Sequence, residues 1–210
     1  MKIIRGIPQG SKEWLDLRTG RITASRFKDI MTAGTKGEEF GATFNSYILE
    51  LAIEKITGEP VSTYKSEAMQ RGNDMEPIAA LRYSMESGET IEEITGILVN
   101  DDVWVSPDRL SGEKGLLEIK CPNTATHVKY LRGEGVPSKH DAQVQGQLWG
   151  SERDWNAFVS YDDRWPLQDY FCFKAYRDEE FIKRLEARIK IAVEKRDALI
   201  YELKNYKPCQ

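Results

Sequence analysis

Histidine and cysteine are scarce in this chain of 210 residues, and their scarcity removes whole classes of chemistry. With only His127 and His140 present, a zinc centre or a catalytic-histidine mechanism has little support. The cysteines, Cys121, Cys172 and Cys209, are odd in number and far apart, without a Cys-x-x-Cys. Neither a disulfide framework nor a zinc site is indicated. No run of eighteen apolar residues occurs, and Met1 to Arg5 lacks the apolar core of a signal peptide. A reducing cytoplasm, with no membrane contact, is the expected setting. Excess positive charge is missing as well. Thirty Lys and Arg against 34 Asp and Glu leave a net charge of −4, which argues against a broad basic surface that coats nucleic acid. Repeats and low-complexity segments are absent. The glycine-rich stretch from Gly34 to Gly41, with Lys36 and Glu38-Glu39, lacks phosphate-loop spacing and reads as a connection at the mouth of a site. What remains is a length and composition suited to one domain, residues 1–210, around a single sizeable core.

What is present centres on Val103 to Pro122. Trp104 and Val105 end an apolar run, Asp108 follows Pro107 at a turn, and a polar loop with Gly112 and Gly115 leads to Leu116-Leu117-Glu118-Ile119-Lys120. An apolar segment, a glycine-bearing loop and a second apolar segment predict a hairpin. Strand alternation puts Glu118 and Lys120 on one face and Leu117 and Ile119 on the other. Two carboxylates, Asp108 and Glu118, with a backbone carbonyl such as that of Ile119, form a donor set for a hard cation such as Mg²⁺. Lys120 then stands where it could orient an attacking water and favour its deprotonation. The plainer alternative is a salt-bridged hairpin in which Glu118 and Lys120 are solvated neighbours.

Pro107-Asp108 followed by Glu118-Ile119-Lys120 matches the PD-(D/E)-x-K nuclease signature. Val105-Ser106-Pro107-Asp108, Leu117 to Pro122 and Ala142-Gln143-Val144-Gln145 resemble the bacteriophage lambda exonuclease, or YqaJ-type viral recombinase, family. So does Trp14 to Ser25, which fits the pattern Trp-x-x-x-Arg-x-Gly-x-Ile-Thr-Ala-Ser. The resemblance runs from about Ser11 to the last helix. It implies an α/β fold whose mixed, mostly antiparallel central sheet is flanked by helices. It also implies a Mg²⁺-dependent 5′-to-3′ exonuclease that degrades the 5′-phosphorylated strand of linear duplex DNA to mononucleotides and leaves 3′ single-stranded overhangs. A single-strand annealing protein as partner and a ring-shaped trimer around the DNA follow from the same resemblance. If DNA is the substrate, positive charge must be local, with metal ions covering an acidic centre.

The resemblance also assigns roles. Glu76, in Arg71-Gly72-Asn73-Asp74-Met75-Glu76, joins Asp108 at a second metal ion, Mn²⁺ substituting for Mg²⁺. Gln143 contacts the active-site water and Lys120, and Ser106 donates to a phosphate. Arg18 and Ser25 hold the 5′-phosphate; a planar guanidinium and a hydroxyl at a helix start suit that anion. Taken without the resemblance, Glu76, Arg18 and Ser25 read as solvated or capping residues, and Gln145 and Gln147 as surface glutamines. His140 is either a phosphate contact or a packing residue. Two other readings stay open: a structure-specific or restriction-like endonuclease with the same signature, and a catalytically silent DNA-binding protein.

Hydrophobic periodicity predicts two short helices within Gly10 to Ile30, then helices over Phe44 to Ile56, Lys65 to Ser87, Thr124 to Arg132, Ser138 to Trp149 and Asp178 to Asn205. Pro77 predicts a kink or a fresh helix start beside Glu76. Strands are expected at Thr90 to Thr95, Gly96 to Val99, Val103 to Val105 and Leu116 to Cys121, joined as one meander. Trp155 to Tyr161 and Asp169 to Tyr176 predict a second hairpin.

Overall fold

The computed structural model describes residues 1–34, 39–61 and 66–207. Lys36 and Glu38 of the glycine-rich stretch, Lys65 and Cys209 lie outside the described residues. The elements are β1 (Lys2–Ile4), α1 (Lys12–Arg18), β2 (Ile22–Thr23), a 3-10 turn (Ala24–Arg26), α2 (Phe27–Met31), α3 (Ala42–Thr57) and α4 (Glu67–Ser87). They continue with β3 (Ile91–Glu93), β4 (Gly96–Asn100), β5 (Val103–Val105), β6 (Arg109–Ser111), β7 (Gly115–Lys120), α5 (Thr124–Leu131) and α6 (Ser138–Ser151). The chain closes with β8 (Trp155–Tyr161), β9 (Tyr170–Tyr176) and α7 (Glu179–Lys204). The protein is α/β, with helices packed on mixed sheets. Among the described residues no helix is long and apolar enough to cross a membrane.

The strands form two sheets, ordered β1-β4-β5-β2 and β3-β6-β7-β8-β9, where a single meander was expected. Most pairings are antiparallel; β2 with β5 and β7 with β8 are parallel. The hairpin partner of β7 is β6, not the Val103–Val105 strand, which pairs with β4 in the other sheet. Proline explains the change. Pro107 has no N–H to donate, so the ladder through β5 stops there and the chain passes to the second sheet at Ser106-Pro107-Asp108. The reverse crossing lies at Ile94-Thr95, between β3 and β4. There Gly96 adopts φ +152°, and a Cβ would stand 2.4 Å from the Trp104 ring. Glycine is required at that step.

Helix ends follow local chemistry. Ser11, Ser66, Asn123 and Asp178 each accept a hydrogen bond from the backbone N–H three residues on. Each such cap is worth about 1 kcal/mol. Gly58 and Gly88 stop α3 and α4 in the left-handed conformation. Helix α4 runs on through Pro77 rather than starting there, its capped first turn and packed face outweighing the lost hydrogen bond.

The five-stranded sheet is covered on both faces. Leu117, Ile119, Ala157 and Val159 pack against Ala79, Ala80 and Tyr83 of α4. On the opposite face Leu116 and Phe158 meet Val144 and Leu148 of α6, Phe27 of α2 and Leu185 of α7. That second face also carries Glu118, Lys120 and Asn156 by strand alternation. Gly146 lets α6 approach, since a Cβ there would fall 2.0 Å from the Phe27 ring.

Candidate active site

Both crossings between the sheets line one cleft. Glu93, Ile94 and Thr95 come from the first, Ser106, Pro107 and Asp108 from the second, and Glu76 and Trp14 complete a cavity of about 490 Å³. The Asp108 carboxylate accepts a hydrogen bond from the Ile119 N–H (2.6 Å), and the Asp108 N–H donates to the Leu117 carbonyl (3.0 Å). N–H and C=O of one strand residue face the same edge, so the Ile119 carbonyl points to the side where β6 has ended and Asp108 stands. Burial first, and then the neighbouring Glu118 and Glu76, push the Asp108 carboxyl well above its ordinary range; Lys120 offsets part of this.

Glu118 is not a solvated neighbour of Lys120, as the plain hairpin reading would have it. It is 1% exposed. Its Oε1 accepts from the Lys120 ammonium and from Gln143 Nε2 (2.6 Å), and its Oε2 accepts from Gln147 Nε2 (2.6 Å). A carboxylate has about four lone-pair sites. Three are engaged, which leaves one on Oε2. Burial pulls the Lys120 ammonium down, but Glu118 and Asp108 more than compensate and hold it above its usual value. Glu76 lies on α4 and accepts from Arg109 Nη1 (2.9 Å), whose other contact is the Asp108 carbonyl (2.5 Å). Burial raises the Glu76 carboxyl, Arg109 lowers it, and Glu118 raises it again.

Asp108 and Glu76, which line the cleft, therefore both feel the charge of the buried Glu118. As they stand, each answers to its own cation or amide, and among the described residues no group of three such side chains is drawn together around an ion. The chemistry of the donor set nevertheless fits a hard divalent cation. It consists of carboxylate oxygens and a backbone carbonyl, and the neighbouring negative charge helps raise the Asp108 and Glu76 carboxyls. Ser106 lines the same cleft. Its hydroxyl oxygen accepts from the buried Trp104 indole N–H (2.5 Å), which leaves its own proton to donate elsewhere.

A second pocket of about 380 Å³ adjoins the first, and Gln9 and Trp14 line both. It holds Arg18, Ser25, Arg26 and Tyr47. Arg18 stacks over the Trp14 ring, its Cζ 4.2 Å from the centroid, and donates no hydrogen bond among the described residues. Burial lowers its guanidinium below the ordinary value, with Tyr47 and Glu54 opposing. Arg26 differs. It pairs with Asp29 and with Glu50 (2.9 Å) and lies over Tyr47. Ser25 is exposed, its hydroxyl 3.3 Å from that of Thr23.

Several site residues escaped the sequence reading. Gln147 is fully buried and bonds Glu118, so it is no surface glutamine; its spacing four residues after Gln143, on one helix face, was the available signal. Gln145 is tied to the Tyr176 carbonyl and the Asp178 N–H at the start of α7. Arg109 and Asn156 gave no signal in the sequence. His140 packs against Phe158 and bonds the Tyr130 hydroxyl (3.1 Å), a packing residue rather than an open phosphate contact. His127 is wholly buried between Ser160 and the Gln168 carbonyl.

Comparison with known proteins agrees with this fold. A model of the YqaJ-like viral recombinase domain matches residues 13–154. The chain is 32% identical over 103 residues to the uncharacterized protein YqaJ of Bacillus subtilis (strain 168), covering 47% of this chain. That match spans 32% of the relative's own length. The alkaline exonuclease LHK-Exo from Laribacter hongkongensis superposes with a TM-score of 0.82 at 38% identity, over 92% of this chain and 96% of that one. The same enzyme in complex with dAMP gives 0.83. A phage-related exonuclease from Haemophilus somnus 129PT shares the fold at a TM-score of 0.72 and 17% identity, covering 90% and 98% of the two chains. With the family's sequence pattern and the fold of an alkaline exonuclease both present, the chain belongs to the YqaJ-like viral recombinase family.

Proposed function

We propose that this protein is a metal-dependent exonuclease that degrades the 5′-phosphorylated strand of linear duplex DNA, 5′ to 3′, to mononucleotides. One observation carries the reading: the acidic cleft and the pocket of Arg18, which is unpaired among the described residues, share the wall formed by Gln9 and Trp14. A strand end seated on Arg18 and Ser25 then presents its next phosphodiester to the acids. The complex of the related LHK-Exo with dAMP supports a mononucleotide product.

Asp108, Glu118 and the Ile119 carbonyl would hold one divalent cation, and Glu76 with Asp108 a second. When bound, Mg²⁺, or Mn²⁺ in its place, supplies Lewis-acid stabilisation of the phosphoryl oxygens and acidifies water. Lys120, anchored through Glu118, donates to the attacking water and sets its line of approach, while Gln143 holds the same carboxylate oxygen from the other side. Ser106 donates its free proton to a non-bridging phosphate oxygen. Water adds to phosphorus, the bond to the 3′ oxygen breaks, and that oxygen takes a proton as the mononucleotide leaves. The shortened strand again ends in a 5′-phosphate, which suits the Arg18 pocket for another round.

The biological reading is end resection in phage-type recombination in the cytoplasm, alongside a single-strand annealing protein. A ring of three subunits around the duplex would retain DNA despite the net charge of −4. The test is a time course with duplexes labelled at the 5′ or the 3′ end, run beside 5′-hydroxyl and closed circular DNA with Mg²⁺. Early release of 5′-labelled mononucleotide from linear DNA alone is expected. Cutting of closed circles would instead favour an endonuclease.

A further inference from the structure

Behind Glu118 lies a buried chain of amides that the proposed chemistry does not use. Gln147 and Asn156 are both 0% exposed. Gln147 Nε2 donates to Glu118 Oε2 (2.6 Å) and to the Ser106 carbonyl (3.3 Å), while its Oε1 accepts from Asn156 Nδ2 (2.8 Å). Asn156 Oδ1 is buried with no partner. A polar atom abandoned in the interior is costly. Rotating the Asn156 amide would aim that oxygen at the Gln147 carbonyl. Gln147 would have to turn in response, setting its own carbonyl against the Glu118 carboxylate. The unsatisfied oxygen is thus the consequence of directing every donor in the row toward Glu118.

We infer that Gln147, oriented by Asn156, is a positioning residue for the Glu118 carboxylate. It fixes the plane of that group, so that Oε1 stays with Lys120 and Gln143 and the remaining lone pair of Oε2 faces a cation. The same amide bonds the backbone of Ser106, so α6 sets the spacing between Glu118 and the second sheet crossing. A group that orients a metal-binding carboxylate typically changes metal affinity or turnover by about 10- to 100-fold when removed. The inference rests on the exonuclease reading above and deepens it.

Gln147→Met and Asn156→Leu keep nearly the same volume and remove the donors. Gln147→Met is expected to lower kcat by about 10- to 100-fold with KM for duplex ends unchanged, and to weaken Mn²⁺ binding, titrated without DNA, by a similar factor. Asn156→Leu should move both quantities in the same direction by less. If Gln147→Met fails to fold, Asn156→Leu alone decides. Wild-type kcat and Mn²⁺ affinity in the folded variants, beside an active wild type, overturn this inference and leave the exonuclease reading standing. A wild type that neither binds Mn²⁺ nor cuts DNA overturns both.

Discussion

The two adjoining pockets treat their charged groups in opposite ways. At the acidic cleft the acids are held by fixed partners: Glu76 has Arg109, and the buried Glu118 beside it has Lys120, Gln143 and Gln147. Across the shared wall, Arg18 stacks on Trp14, and burial disfavours its charge. Neighbouring Arg26 is already paired with Asp29 and Glu50. One half is organised before any ligand arrives. The other holds Arg18, which has no anionic partner among the described residues. On the proposed reading, chemistry and recognition are thereby separated: groups that act in fixed geometry are held by the fold, while Arg18 gains its partner from the strand end.

This contrast can be broken by substitution. The largest effect is expected from Lys120→Ala, which should reduce turnover by about 10³-fold or more while DNA and Mn²⁺ binding persist. A single-turnover assay beside a binding isotherm checks it, and retained turnover would remove Lys120 from the chemistry. Arg18→Ala should leave chemistry on 5′-hydroxyl ends nearly unchanged and erase a preference for 5′-phosphate of about 10- to 100-fold, the worth of hydrogen bonds to a charged group. Equal losses on both kinds of end would contradict the division between the pockets.

Smaller effects should sharpen it. Gly146→Ala forces a methyl into the Phe27 ring and should cost about 1–3 kcal/mol of stability. By shifting α6 it should also impair the pre-paired half more than the Arg18 half. Thermal melting, together with the 5′-phosphate preference of the residual activity, would show this. The mildest prediction concerns acid. Burial, with Lys120, Lys139 and Lys28 nearby, depresses His140 from 6.5 to about 3. Between those values the unfolded chain takes up a proton that the folded protein refuses. The stability is present above pH 6.5 and drains away as pH falls toward 3. His140→Gln should therefore lose less stability than wild type over that interval in urea titrations, and parallel losses would exclude the histidine.

Much of this was legible in the sequence. The helices showed in their apolar spacing and caps, and Glu-x-Lys showed in strand alternation, with Pro-Asp at the turn before it. Pairing of strands was less legible. Arg109–Ser111 has only Leu110 apolar, so the apolar Val103–Val105 stood in for it as the hairpin partner, and the position of Pro107 between them separates the two sheets. Arg109 and Asn156 were invisible for a related reason. Their meaning depends on Glu76 and Gln147, which arrive from other elements, α4 and α6. Gln147 was hidden differently, since a polar side chain on an amphipathic helix defaults to solvent unless a buried carboxylate claims it.

Trp104 offers a last consequence. Its indole is enclosed, fits only because residue 96 lacks a side chain, and reaches the Ser106 hydroxyl in the cleft. Its intrinsic fluorescence is therefore a built-in reporter beside the acidic cleft. In a protein whose four other tryptophans have been replaced by phenylalanine, a shift in its emission on adding nucleotide or cation would register events at Ser106 directly, with no label attached.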